Sequence, residues 1–246
     1  MKFSKRISKH HIPSLFTLVN LFLGFLAVIS VAEGYAIRAA YLIVAAGIFD
    51  TLDGKLARWV QGPSRFGMEL DSLADLVSFC LAPALLIWSL YAHDLHPVLG
   101  ALIAGAPLYF GALRLARYNI AESSKPRPYF EGLPVPMNAM TVVALVLYYS
   151  DQSYGGAAKV VLPVIMATSV LMISSIRYAK SPKFTFHAGI GNTLYLIGTL
   201  GVLALLPIFG GLIALPAVVI YLLSGLIRWL TKAGAPVDLQ SMEKKV

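Results

Sequence analysis

GIFDTLDGKLARWV (residues 47–60) sets two aspartates, Asp50 and Asp53, and two cations, Lys55 and Arg58, at the end of a long apolar run. Charged groups in such a run are costly and mark function. What they hold, and which side of a membrane they face, follows from the chain around them. The 246 residues are 58% hydrophobic and 13% charged, against about 25% charged for a soluble domain. Apolar stretches of the roughly 20 residues needed to cross a bilayer recur along the whole length. The chain is therefore read as a polytopic integral membrane protein.

Eight spans are expected, at 14–33, 36–58, 69–91, 97–118, 133–150, 157–178, 188–208 and 210–231, forming an all-α helical bundle. Turn-forming residues separate them: Glu33-Gly34, Gly62-Pro63-Ser64, the stretch from His93 to Pro97, the stretch from Asp151 to Gly156, and Ser181-Pro182. An even count puts both termini on one side. The basic residues agree, since 18 of the 20 fall on that face and only Arg38 and Lys159 on the other. The positive-inside rule makes the basic face cytoplasmic, as in the cytoplasmic membrane of a prokaryote. A single domain is expected over residues 1–231, followed by a polar tail at 232–246. The first span resembles a signal peptide, but Leu15 to Ala32 is 18 residues long and contains Thr17 and Asn20. That exceeds a usual signal-peptide core, so an uncleaved helix is expected.

Cys80, the only cysteine, excludes an intrachain disulfide. The formal charge of +8 reports topology and anionic headgroups. No basic-aromatic stripe accompanies it, so nucleic acid is not an expected partner. His93 and His96 have zinc-like spacing without further ligands and are read as turn residues.

The chemistry lies in Asp50-x-x-Asp53-Gly54-x-x-Ala57-Arg58, eight residues, Gly67, three residues, Asp71, three residues, Asp75. At 100° per residue, Asp50, Asp53, Gly54 and Ala57 share one side of a helix. Gly67, Asp71 and Asp75 line one face of the next at successive i, i+4 steps. The cytoplasmic connection between them lets the two faces converge near that membrane surface. Gly54, Ala57 and Gly67 would allow close approach of backbones and of a bulky ligand. Four intramembrane carboxylates would cost about 3 kcal/mol each by insertion scales, so cations must neutralise them. One aspartate alone would be read as a helix cap or a partner of Lys55, Arg58 or Arg65. Four in phase on adjacent helices point to hard divalent ions, Mg²⁺ or Mn²⁺. Two such ions can clamp a phosphoryl group for in-line displacement.

The whole pattern resembles the signature of the CDP-alcohol phosphatidyltransferase family at all eight fixed positions. The resemblance implies transfer of a phosphatidyl group from CDP-diacylglycerol to an alcohol, with release of CMP, by a homodimer. It implies that Asp50, Asp53, Asp71 and Asp75 hold two divalent ions, that Asp75 is also the base for the incoming hydroxyl, and that Gly54, Ala57, Arg58 and Gly67 lie against the CDP moiety. The family's first helix often begins Pro-Asn-x-x-Thr-x-x-Asn. Here Pro13-Ser14-x-x-Thr17-x-x-Asn20 departs at Ser14 and keeps Thr17 and Asn20 as nucleotide contacts. No Ser-His or Cys-His pair suits a covalent intermediate, so a direct displacement is expected.

Asp71-Ser72-Leu73-Ala74-Asp75-Leu76, continuing VSFCLAP, resembles the serine-using branch, with Cys80 in place of the usual glycine. RLARYN (114–119) and FEGLPVP (130–136) resemble the same branch. L-Serine carries a carboxylate, which Arg pairs bidentately. Arg117 is the first choice for that role, with Arg114 beside it and Asn119 for the amino or hydroxyl group. Membrane anchoring is the alternative for both arginines. Rival readings are the same chemistry with another acceptor or an ether-lipid donor (archaetidylserine, phosphatidylglycerol phosphate or phosphatidylinositol-type products), and a divalent-cation transporter.

Overall fold

The computed structural model describes residues 11–60, 65–122, 129–150, 154–179 and 190–233. Helix α1 (His11–Ala32) carries Pro13 in its first turn, where a missing N–H is tolerated. It ends where Gly34 takes φ +82°. Tyr35 N–H then reaches Ser30 O at 2.8 Å and Gly34 N–H reaches Val31 O at 3.0 Å, closing a Schellman turn. This reverses the chain into α2 (Ala36–Val60). The two helices pack along one another through fully buried Ala27, Ala39, Ala40 and Ala46. Such small residues let backbones approach closely.

The third span runs continuously from Phe66 to Ala92. It comprises α3 (Arg65–Asp75), a π-helical turn over Leu76–Leu81, α4 (Ala82–Ile87) and a second π turn over Trp88–Ala92. Pro83 lacks the N–H that an α-helix would use, and the widened turn before it absorbs that loss. The first π turn begins directly after Asp75 and packs on α1. There, Ser78 Oγ donates to Asn20 O at 3.0 Å. Helices α5 (Pro97–Ala104) and α6 (Ala106–Glu122) make one bent element with a 42° break at Gly105.

Central α7 (Val135–Tyr148) is buried along nearly its whole length, against α2, α8 (Tyr154–Met172), the first π turn and α10 (Gly211–Ala233). Helix α9 (Ile190–Phe209) packs on α10 and leaves most of its apolar surface uncovered.

The mostly helical architecture is as expected. Among the described residues, four helices are long and apolar enough to span a membrane, Leu15–Ala32, Phe66–Ala92, Ile190–Phe209 and Gly211–Thr231, or five with the bent pair. Helix α2 carries too much charge, and α7 has 14 residues, about 21 Å at 1.5 Å per residue against a hydrocarbon core of about 30 Å. Strands β1 (Tyr129–Glu131) and β2 (Arg177–Ala179) form an antiparallel ribbon with Phe130 opposite Tyr178, tying the connection after α6 to the one after α8.

Cys80 packs into the gap left by a glycine on α6. A Cβ built on Gly111 would overlap its Sγ and lie 3.4 Å from its Cβ. Gly111→Ala is expected to destabilise the protein by about 1–3 kcal/mol, the usual range for overpacking. Adding Cys80→Ala should restore most of the loss. Thermal unfolding of the three variants in detergent checks this, and an additive double variant would show that the two positions do not meet.

Candidate active site

Helix α2 positions Asp50 and Asp53, and α3 positions Asp71 and Asp75. Carboxylate oxygens of Asp50, Asp71 and Asp75 all lie within 4.8 Å of one another. The i, i+4 spacing keeps Asp71 and Asp75 on one face of α3, which packs on α1, and their carboxylates meet that of Asp50 from α2. Two unit charges at this separation repel by on the order of 3 kcal/mol at an effective dielectric of about 20. Asp75 is only 8% exposed, so solvent relieves little of that repulsion.

Asp53 is placed differently. It is buried, its Oδ2 accepts a hydrogen bond from the Thr17 hydroxyl, and its Oδ1 is buried with no hydrogen-bond partner among the described residues. Asn20 donates through Nδ2 to Asp75 Oδ1 at 3.4 Å. Helix α1 thus presents Thr17 and Asn20 to two of the four carboxylates. A Cβ built on Gly54 meets no described atom within 4 Å, so the glycine borders open space. Gly67 lies in the first part of α3. Ala57 and Arg58 continue α2, and their side chains lie outside the described residues.

The residues present fit a divalent cation. Three convergent carboxylates make an all-oxygen donor set of the kind hard ions take. The orphaned Oδ1 of Asp53 is a further acceptor lacking a partner. An unpaired buried acceptor is costly, and a cation within reach would satisfy it.

The basic side chains of α6 divide by face. Arg117 is exposed, and its Nη1 donates to Ile173 O at 3.0 Å, holding α6 to the segment after α8. Asn119 Nδ2 donates to Glu69 Oε2 at 3.2 Å and to Ser72 Oγ at 3.1 Å, clamping α6 to α3. Arg114 is the inward residue, 8% exposed, with its guanidinium 5.8 Å from the Phe130 ring centroid. Asp75, Tyr118 and Tyr221 surround it within electrostatic range. Glu69, Ser72 and Tyr221 are not singled out by the motif. Glu69 and Ser72 fall at its unspecified positions, and Tyr221 reaches the surroundings of Arg114 from a distant segment.

Fold and site together define a membrane-embedded helical protein built around an intramembrane carboxylate cluster. The model of the CDP-alcohol phosphatidyltransferase family matches residues 10–176, and the chain belongs to that family. It is 34% identical over 223 residues to the CDP-diacylglycerol–serine O-phosphatidyltransferase of Helicobacter pylori, covering 89% of this chain and 90% of that one. It is 35% identical to the enzyme of that name from Bacillus subtilis, covering 73% and 94%. It is also 36% identical to the archaetidylserine synthase of Methanothermobacter thermautotrophicus, covering 69% and 70%. The crystal structure of the phosphatidylinositol phosphate synthase of Mycobacterium tuberculosis with CDP-DAG bound shares the fold. Its TM-score is 0.50 at 18% identity, over 68% of this chain and 82% of that one.

Proposed function

We propose that the chain transfers the phosphatidyl group of CDP-diacylglycerol to the hydroxyl of L-serine, giving phosphatidylserine and CMP. The observation that carries the chemistry is the convergence of the Asp50, Asp71 and Asp75 carboxylates from α2 and α3. Similarity to serine-using relatives over most of the chain supports the acceptor.

Asp75 accepts the proton of the serine hydroxyl, and Asn20 orients its carboxylate. The hydroxyl oxygen forms a bond to the lipid-bearing phosphorus while the bond from that phosphorus to the bridging oxygen breaks, so CMP leaves with the electron pair. Asp50, Asp53, Asp71 and Asp75 would hold two divalent ions, Mg²⁺ or Mn²⁺, with Thr17 fixing the orientation of Asp53. Such ions supply charge neutralisation and Lewis acidity at the pyrophosphate. Gly54 leaves room for the nucleotide, with Ala57, Arg58 and Gly67 along its path. In this reading Arg114, buried where Arg117 is exposed, binds the acceptor, with Arg117 and Asn119 bracing the helix that carries it.

The enzyme works in this reading as a homodimer in the cytoplasmic membrane of a prokaryote. Its eight membrane-embedded helical segments form one domain over residues 1–231, with both termini and the polar 232–246 tail on the cytoplasmic side. Similarity to the archaetidylserine synthase favours one second reading, an ether-linked CDP-lipid donor with the same acceptor.

The test is CMP release by purified protein in mixed micelles, with each donor lipid, offering L-serine, glycerol 3-phosphate, inositol and choline in turn. Serine-specific, divalent-dependent release is expected. Release with another alcohol alone overturns the acceptor. No release with any donor and acceptor, alongside divalent-cation flux in vesicles, would establish the transporter instead.

A further inference from the structure

We propose that Ser72 and Asn119 are a positioning pair for the acceptor. They fix α6 against the third span so that Arg114 and Asp75 stay unpaired, the first free for the acceptor's carboxylate and the second for its hydroxyl. This rests on the serine reading and adds the residues that keep its two working groups apart.

The side-chain amide of Asn119 is engaged within the protein. Its Nδ2 carries two N–H groups, and Glu69 Oε2 at 3.2 Å and Ser72 Oγ at 3.1 Å take both. Its Oδ1 lies 3.2 Å from the same Ser72 hydroxyl, which also reaches Met68 O at 3.1 Å. Among the described residues α3 makes little other contact with α6, so this polar cluster is what joins the two helices at that level. A second contact lies further along. Cys80 fills the gap at Gly111, eight residues beyond Ser72 on one helix and eight before Asn119 on the other. The two elements therefore run antiparallel and in step, joined at two points about 12 Å apart.

Asp75 and Arg114 lie between those two points, one on each side. They carry opposite charges within electrostatic range of one another, and each is only 8% exposed. Opposite charges out of water attract strongly, yet among the described residues the two form no ion pair. The Arg114 guanidinium lies instead over the Phe130 ring, with its Nε unpartnered among the described residues. Anchors on either side of Arg114 hold its backbone at a set height and rotation, and Phe130 holds its tip. Released from Ser72, α6 can roll and let the guanidinium close on Asp75, which would occupy the base and the carboxylate's partner at once. L-Serine needs both groups free, since its carboxylate pairs with the guanidinium and its hydroxyl gives its proton to Asp75.

The experiment compares Ser72→Ala, Asn119→Ala and the double variant with wild type for CMP release at varied L-serine and at varied CDP-diacylglycerol. Ser72→Ala should lower kcat/KM for L-serine about three- to tenfold, the worth of one neutral hydrogen bond, with KM for CDP-diacylglycerol held within about twofold. Asn119→Ala should lower it at least as far. Ser72→Ala should then add nothing once Asn119 is gone, the coupling expected of a single interaction. A loss confined to Asn119→Ala would make Asn119 a direct contact of the acceptor and overturn the proposal. Additive losses, or equal losses toward both substrates, would overturn it as well. Should the double variant fail to fold, Ser72→Ala decides alone, a serine-specific loss being expected and its absence overturning the pair. Wild type lacking serine-dependent CMP release would refute the serine reading itself. A normal wild type with an indifferent Ser72→Ala refutes only the positioning pair.

Discussion

Asp75→Asn is expected to lower kcat by about 10²–10⁴, the usual contribution of a positioned base, while the protein stays folded. Asparagine has nearly the same shape, and its carbonyl oxygen can still accept from Asn20. It cannot take the hydroxyl proton, and it removes one of three carboxylates held within 4.8 Å. The lost charge relieves repulsion of on the order of 3 kcal/mol per pair. The cation-free variant should therefore melt at a higher temperature than cation-free wild type. Activity and stability thus move in opposite directions, which a structural role for Asp75 would not produce. CMP release and thermal unfolding on the same detergent-purified samples decide it. Retained turnover, or parallel loss of both, would remove Asp75 from its proposed role.

Chelation of divalent cations is expected to have a comparably large effect. CMP release should fall to background and return on adding Mg²⁺ or Mn²⁺. Stability should follow, because a ligand bound only to the folded state at 100 times its dissociation constant contributes about 2.7 kcal/mol. Without cations, the carboxylates of Asp50, Asp71 and Asp75 repel one another within 4.8 Å, and the buried Oδ1 of Asp53 has no partner among the described residues. Titrating Mn²⁺ into cation-free protein should raise Tm in wild type, and much less in Asp75→Asn. Full CMP release in excess chelator would show that the carboxylates serve some other purpose.

Both expectations could be framed from the aspartate spacing, but their details needed the packed helices. Asp50 and Asp53 are three residues apart, so they sit roughly 60° apart around α2. A small roll of the helix decides which one faces Asp71 and Asp75. Contact with α1 sets that roll, and it turns Asp53 to Thr17. Arg114 and Arg117 are also three apart on α6. Sequence chemistry favoured Arg117 for the acceptor, yet the packed helix points Arg114 inward and leaves Arg117 on a backbone carbonyl.

The sequence by itself determined the membrane setting, the helical character, the metal-fitting aspartates and the family resemblance. Each is a local property: apolar run length, or residue spacing along one helix or its neighbour. Spanning length was only partly legible, because the charge in α2 and the 14 residues of α7 matter through the neighbours that enclose them. The ribbon was not legible at all. Three-residue strands are too short to show a period, and their partners are separated by the whole of α7 and α8. Tertiary structure alone brought Phe130 and Tyr221 to Arg114. Side chains from three separate segments meet there only because helix packing has already fixed where each segment ends.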